Sequence, residues 1–95
     1  MIKQVIKSDG RKMPFDAKKI TRGISRAAAD AKLTADEINN VVNRVSSVVL
    51  QYIDTFEDKI KSSEIRDKIL AELDQVAPKV AFEWRRFMNT AKNRR

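Results

Sequence analysis

The chain has 95 residues, of which 42% are hydrophobic and 35% charged, and its formal net charge is +7. It contains no cysteine and no histidine, which excludes disulfides, thiolate metal sites and the side chain that most often acts as a general base near neutral pH. No apolar run approaches ~18 residues, so we expect a single globular, helix-rich domain in the cytoplasm, without a membrane span or secretory signal, and a binding module rather than an enzyme.

The sequence pattern over residues 2–15 predicts a β-hairpin. Asp9-Gly10 is typical of two-residue hairpin turns, and residues 11–15 form the return strand. Pro14 has no amide hydrogen, so its strand must lie at an edge of the sheet. A two-residue turn places Ser8 opposite Arg11, Lys7 opposite Lys12, and Ile6 opposite Met13.

This predicted register sorts the hairpin side chains onto two faces. One face carries Ile6, Ser8, Arg11, Met13 and Phe15, and the other carries Lys3, Val5, Lys7 and Lys12. A like-charged pair of Lys7 and Lys12 is destabilising unless an anion binds between them. Two solvated lysines on an exposed face are the alternative interpretation.

Asp16 is placed to cap a helix that runs to about residue 31. Its apolar stripe follows helical spacing and consists of Ile20, Ile24, Ala27, Ala28 and Ala31. Gly23 lies inside this helix and costs about 1 kcal/mol relative to alanine. It either permits close approach of another element or is simply tolerated.

Thr34 and Glu37 have the spacing of a capping box and predict the start of a second helix. Its apolar positions are Ile38, Val41, Val42, Val45, Val48, Val49 and Tyr52. Valine favours strands, but the spacing of three and four residues together with the cap favours a helix. The polar connection 54–61 ends in Lys59-Ile60-Lys61, whose alternation predicts a short strand beside the hairpin.

Ser62 is predicted to cap a third helix, with Glu64 in its first turn. The third stripe comprises Ile65, Ile69, Leu70 and Leu73. Pro78 suits the first turn of a fourth helix, whose stripe comprises Val80, Ala81, Trp84, Phe87, Met88 and Ala91. The predicted fold is therefore α+β, with a single domain over residues 1–91 and a frayed basic tail over residues 92–95.

Charge is divided along the chain into basic ends and an acidic middle. Residues 1–33 hold nine Lys or Arg against three Asp, residues 34–78 hold five against nine Asp or Glu, and residues 79–95 hold six against one Glu. Such blocks favour an anionic partner at the basic segments, which could be nucleotide phosphates, nucleic acid or an acidic protein. Solubility and attraction between the segments explain the same pattern without a ligand.

Two lysines, Lys18 and Lys19, fall in the first turn of the first helix, where the helix dipole disfavours cations. Lysines suit this position when a phosphate docks on the free amides of the helix N-terminus. Together with the hairpin lysines they indicate an anion-binding corner between hairpin and helix. The glycine-rich loops of the common nucleotide-binding motifs are missing from the sequence.

The pattern Val5-x-Lys7-x-Asp9-Gly10-x4-Phe15-Asp16-x2-Lys19-Ile20, followed by an alanine-rich helix, resembles the start of an ATP-cone domain. Such domains regulate many ribonucleotide reductases and occur in a related family of transcriptional repressors. Ile60-x-Ser62-x-Glu64-Ile65 is similar to the family's short strand and third helix. Ala81-x2-Trp84-x2-Phe87 is similar to its Ala-x2-Tyr-x2-Tyr pattern, and the spacing is closest to the anaerobic reductases.

The resemblance implies a four-helix bundle covered by a small three-stranded sheet, with ATP or dATP bound between them. Lys7 and Lys19 would hold phosphates, and Asp16 would accept from the adenine amino group. Ser62 would approach the base or a phosphate from the third helix. The base and ribose pocket would be lined by Val5, Phe15, Ile20 and Ile65. Mg2+ could accompany the phosphates. The candidate ligand-binding residues are Val5, Lys7, Ser8, Arg11, Lys12, Phe15, Asp16, Lys19, Ile20, Ser62 and Ile65.

Two positions depart from the family pattern, because Ser8 and Met88 stand where many members have arginine. Arg11, Lys12 or Arg86 could compensate for the lost charge. The expected function is allosteric regulation of a ribonucleotide reductase catalytic domain or subunit, in the same chain or another, or control of a homo-oligomer. The alternatives are a basic nucleic-acid-binding domain and a degenerate ATP-cone that serves only protein–protein contacts.

Overall fold

The computed structural model describes the backbone of residues 4–93 and the side chains of residues 4–87. The elements in chain order are β1 (Gln4–Ile6), β2 (Lys12–Pro14), α1 (Ala17–Asp30), α2 (Ala35–Ile53), β3 (Lys59–Lys61), α3 (Ser62–Val76) and α4 (Pro78–Asn93). The fold is α+β, as predicted, with four helices and a three-stranded mixed sheet. Within the described range, no helix is both long and apolar enough to cross a membrane.

The sheet has the order β2-β1-β3, with β1 antiparallel to β2 and parallel to β3. Val5 in the central strand faces Met13 on one side and Ile60 on the other. The short strand predicted from Lys59-Ile60-Lys61 is confirmed. Ile60 is buried in the core while both lysines are exposed, so Ile60 anchors β3 on the helices.

The hairpin register differs by one residue from the prediction. Ile6, not Lys7, lies opposite Lys12, and the backbone N–H of Lys7 donates to the carbonyl of Arg11 at 2.8 Å. The loop is therefore Ser8-Asp9-Gly10, closed by the Gly10 N–H donating to the Lys7 carbonyl at 2.9 Å. Gly10 has φ +91°, which suits the left-handed position of a three-residue hairpin loop.

This register overturns the predicted like-charged pair of Lys7 and Lys12. A slip of one residue moves a side chain to the opposite face of a strand. Lys7 and Val5 therefore share a face with their partners Arg11 and Met13, and Lys12 lies on the other face with Ile6. Lys3, which was assigned to the face of Lys7, lies outside the described residues.

Two helix caps predicted from the sequence are confirmed. Asp16 precedes α1, and its Oδ1 accepts from the Lys18 N–H at 2.9 Å. Thr34 precedes α2 and accepts from the Glu37 N–H at 3.2 Å, while the Glu37 carboxylate accepts from the Thr34 N–H at 2.8 Å. These reciprocal bonds fix the start of α2, which is helical despite its valines.

The cap predicted for α3 is different in detail. Ser62 is the first helical residue rather than the cap. The Glu64 carboxylate instead reaches back and accepts from the backbone N–H of Lys61 at 3.2 Å. Pro78 opens α4 as predicted. That helix continues to Asn93, and Arg94 and Arg95 lie outside the described residues. The frayed tail over residues 92–95 stays a prediction.

The core lies between the four helices and the sheet. Helix α1 packs on α2 and α4, and α3 packs on α2 and α4. The buried apolar residues are Ile20, Ile24, Ala27, Ala28, Val41, Val45, Val49, Ile53, Ile60, Ile65, Ile69, Leu73, Val80 and Ala81. Phe87 was predicted to join them but is 48% exposed. The predicted core positions Met88 and Ala91 fall among side chains that are not described.

Candidate functional site

A cavity of about 470 Å³ opens between the hairpin, the N-terminus of α1 and the first turns of α3. Ten of the eleven residues selected from the sequence line it. They are Val5, Lys7, Ser8, Arg11, Phe15, Asp16, Lys19, Ile20, Ser62 and Ile65. Residues far apart in the chain thus meet at one concave site, whose size is within the usual range of small-molecule pockets.

Lys12 is the exception, because it does not line the cavity. The observed register explains this, since Lys12 pairs with Ile6 on the opposite face of the hairpin. The structure therefore separates two lysines of one hairpin by position, with Lys7 at the cavity and Lys12 outside it.

Six further residues line the cavity and were not selected from the sequence. They are Asp9, Met13, Pro14, Arg66, Ile69 and Trp84. Arg66 follows Ser62 by four positions, a spacing that places both on one face of α3. That spacing could have revealed it. Trp84 comes from α4. Its helical spacing fits a core position as well as a cavity-lining position, so only the packing distinguishes these two roles.

The cavity carries more positive than negative charge. Lys7 and Lys19 line it from two different elements, and neither makes an ion pair within the described residues. Arg66 forms only a long contact of 3.9 Å with Asp67. These cations leave the site short of negative charge, which an anionic ligand would supply.

Arg11 differs from the lysines because it already has a partner. Its backbone N–H donates to the Asp9 carboxylate at 3.0 Å, and its guanidinium donates at 2.7 Å. The backbone hydrogen bond, followed by the positive charge of Arg11, holds the pKa of Asp9 below its usual value. Asp9 therefore stays ionised near neutral pH and offsets the charge of Arg11 at the hairpin loop.

The first turn of α1 lies beside the cavity, which Asp16 and Lys19 line. The N–H groups of Lys18 and Lys19 already donate to the Asp16 carboxylate and carbonyl at 2.9 and 3.1 Å. The first turn of this helix contains no acidic residue, although acids would interact favourably with the dipole there. Asp16 caps the helix through Oδ1 alone, and its Oδ2 makes no hydrogen bond within the described residues. One carboxylate oxygen is thus committed to the fold and the other is free to accept from a ligand.

Much of the remaining lining of the cavity is apolar. Ile20 and Ile65 are 6% and 8% exposed, and Val5 and Phe15 pack on the core beside them. A cavity lined by both apolar and cationic side chains suits a ligand that has a flat apolar part and a strongly charged part.

Fold and cavity together define a small α+β domain with a concave site that Lys7 and Lys19 line. The chain matches the ATP cone domain family over residues 3–88. It belongs to this family, which is a family of nucleotide-binding regulatory modules, and the predicted resemblance is confirmed.

Relatives of known name support this assignment. The chain is 36% identical over 74 residues to "Transcriptional repressor NrdR" of Rhodopirellula baltica, covering 78% of this chain and 47% of the relative. It is 37% identical over 76 residues to the protein of that name in Chloroflexus aggregans, covering 77% and 42%. For Syntrophus aciditrophicus the identity is 38% over 80 residues, covering 81% and 48%.

The chain spans less than half the length of these relatives. All three are named as transcriptional repressors and none as a reductase subunit. The predicted partnership with a ribonucleotide reductase therefore stays a prediction.

Proposed function

We propose that this chain binds an adenine nucleoside triphosphate, ATP or dATP, in the 470 Å³ cavity and serves as a regulatory module. The observation that carries the proposal is the convergence of Lys7 and Lys19, from the hairpin and from α1, on one cavity without carboxylate partners among the described residues. In this arrangement the three strands act as a lid over a four-helix bundle.

The phosphates lie at the basic side of the cavity. Lys7 and Lys19 contribute mobile point charges, and the positive end of the α1 dipole adds to the attraction. A Mg2+ ion that accompanied the nucleotide would be held mainly by phosphate and water oxygens. Ser8 replaces an arginine common in the family, and Arg66, which lines the cavity from α3, supplies a cation in compensation. Arg11 is committed to Asp9.

The base lies against the apolar wall. Val5, Phe15, Ile20 and Ile65 contact its faces, and Ser62 approaches its edge from α3. The free Oδ2 of Asp16 accepts a hydrogen bond from the adenine 6-amino group, while Oδ1 keeps its bond to Lys18. Guanine carries an oxygen at the corresponding position, so a carboxylate there selects adenine over guanine.

Regulation follows if nucleotide binding favours one state of a larger assembly over another. The assembly is a transcriptional repressor of the kind named among the relatives, acting in the cytoplasm, or a ribonucleotide reductase as the family resemblance implies. In either assembly, nucleotide binding would regulate by controlling a homo-oligomer.

The second candidate function is nucleic-acid binding, which the repressor relatives and the basic ends of the chain favour. Binding through phosphate contacts alone would show a steep salt dependence and little sequence preference. A titration of labelled DNA over a range of salt concentrations tests this second function. Free ATP separates it from nucleotide binding, because ATP occupies the cavity only in the first proposal. A degenerate domain used only for protein contacts would bind neither.

Isothermal titration calorimetry tests the first proposal with ATP, dATP and GTP. Lys7→Ala and Lys19→Ala should each weaken ATP binding about 10- to 150-fold, the value of one charge-assisted hydrogen bond. Lys12→Ala is the matched control, because it removes the same charge from the same hairpin outside the cavity. Absence of ATP binding at millimolar concentration, or equal effects of all three variants, would refute the proposal.

A further inference from the structure

Trp84 lies between two cavities. It lines the 470 Å³ cavity described above and also a groove of about 220 Å³ between α1 and α4. Among the described residues it is the only one that lines both. The groove is also lined by Arg26 and Phe87, and the guanidinium carbon of Arg26 lies 5.1 Å from the centroid of the Phe87 ring. The indole is therefore a wall with open space on either side.

Among residues 4–87, no hydrogen bond holds the indole of Trp84 in place. The indole Nε1 is buried and has no acceptor among the described residues. A buried tryptophan N–H usually finds a partner that fixes the ring. Within this part of the chain the ring of Trp84 is held by packing contacts, so it can shift without breaking a hydrogen bond.

The packing that sets the position involves Gly23 in α1. A Cβ atom at Gly23 would lie 3.0 Å from both Cη2 and Cζ3 of Trp84, closer than ordinary van der Waals contact. Glycine inside a helix is unfavourable relative to alanine, and here it gives the ring room beside the helix backbone. This accounts for a glycine that the sequence left without a definite role.

We propose that Trp84 is a movable partition that couples the nucleotide cavity to the α1–α4 groove. Entry of the base pushes the ring toward the groove, so nucleotide binding reshapes the groove between Arg26 and Phe87. By linkage, any change that makes the groove easier to enter strengthens nucleotide binding, and any change that blocks the ring weakens it. This inference rests on the proposed nucleotide function.

Two phenylalanines of α4 provide a matched test. Phe87 lines the groove but not the cavity, and Phe82 is 63% exposed and lines neither. Phe87→Ala enlarges the groove and should tighten ATP binding about fivefold, whereas Phe82→Ala should leave the affinity unchanged. Gly23→Ala places a methyl group against the ring and should weaken ATP binding by a similar factor.

Trp84 is the single tryptophan of the chain, so its fluorescence reports the ring directly. Saturating ATP should change its emission and its quenching by acrylamide, and this change should be smaller in Gly23→Ala. If Gly23→Ala does not fold, the Phe87→Ala and Phe82→Ala pair still decides. Equal ATP affinities of those two variants, or an emission unaffected by bound ATP, would overturn the coupling while leaving nucleotide binding intact. Failure of the unmodified chain to bind ATP would overturn both proposals.

Discussion

Asp16 is assigned two tasks that can be separated by substitution. Its Oδ1 caps α1 through the Lys18 N–H at 2.9 Å, and its Oδ2 is proposed to accept from the adenine amino group. Asp16→Ala removes both. Loss of an N-cap costs about 1 kcal/mol, which lowers the melting temperature of a domain of this size by about 4–8 °C. The same variant should lose selectivity for ATP over GTP.

Asp16→Asn retains the cap, because asparagine is as good an N-cap as aspartate. It replaces the free acceptor by an amide N–H2, which pairs poorly with an amino group and well with the guanine oxygen. We expect a melting temperature close to that of the unmodified chain. The preference for ATP over GTP should fall about 10- to 150-fold, as expected for a hydrogen bond to a charged group.

The assays are thermal unfolding followed by circular dichroism and calorimetric titration with ATP and GTP. If Asp16→Asn keeps the full preference for ATP, Oδ2 does not contact the base and the orientation proposed for the nucleotide is wrong. If Asp16→Ala melts at the temperature of the unmodified chain, the capping bond does not stabilise α1.

Three further predictions concern the scaffold. Thr34→Ala removes one bond of the capping box of α2 and should cost about 1 kcal/mol by thermal unfolding, with no change in ATP affinity, since Thr34 lies outside the cavity; a changed affinity would contradict this. Gly10→Ala forces a side chain into φ +91° and should cost about 1–2 kcal/mol, and an unchanged melting temperature would count against the loop geometry. Arg85 holds the pKa of Asp74 below its ordinary value of 3.8 through a bidentate hydrogen bond, so this stabilisation is present above that value and is lost as the pH falls through the lowered pKa. The melting temperature of Asp74→Asn should therefore be slightly below that of the unmodified chain at pH 7. At a pH below the lowered pKa the two melting temperatures should be equal, and a difference independent of pH would argue against the ion pair.

Much of the fold could be predicted because its signals are local. Thr34 and Glu37 form their capping box within one turn, and Asp16 caps α1 with the next residues in the chain. The strand at Ile60 was recognisable from three alternating residues. Each of these features depends on neighbours in sequence, which a sequence shows directly.

The hairpin register could not be decided in this way. Asp9-Gly10 fits a two-residue turn and equally the end of a three-residue loop with a glycine at positive φ. The choice depends on which residues then face the helices. In the structure the longer loop places Val5 and Lys7 toward the cavity and Lys12 away from it. The Asp9-Gly10 signal was sufficient to locate the turn, but it did not decide which face of the hairpin carries Lys7 and which carries Lys12.

Most of the cavity-lining residues could be predicted from the sequence, because the lining begins with a compact motif over residues 5–20. Arg66 and Trp84 were missed as lining residues because their roles depend on the packing of α3 and α4 against that motif. Phe87 illustrates the opposite error: helical spacing suggested burial, but it lies at the rim of the α1–α4 groove and remains 48% exposed.

The most direct test of the central claim is a crystal structure of the chain grown with excess ATP. We predict a triphosphate between the hairpin and α1, with the Nζ atoms of Lys7 and Lys19 both within about 2.7–3.2 Å of phosphate oxygens and the adenine against Phe15 and Ile65. A nucleotide bound elsewhere, or an empty cavity with both ammonium groups directed into solvent, would contradict it.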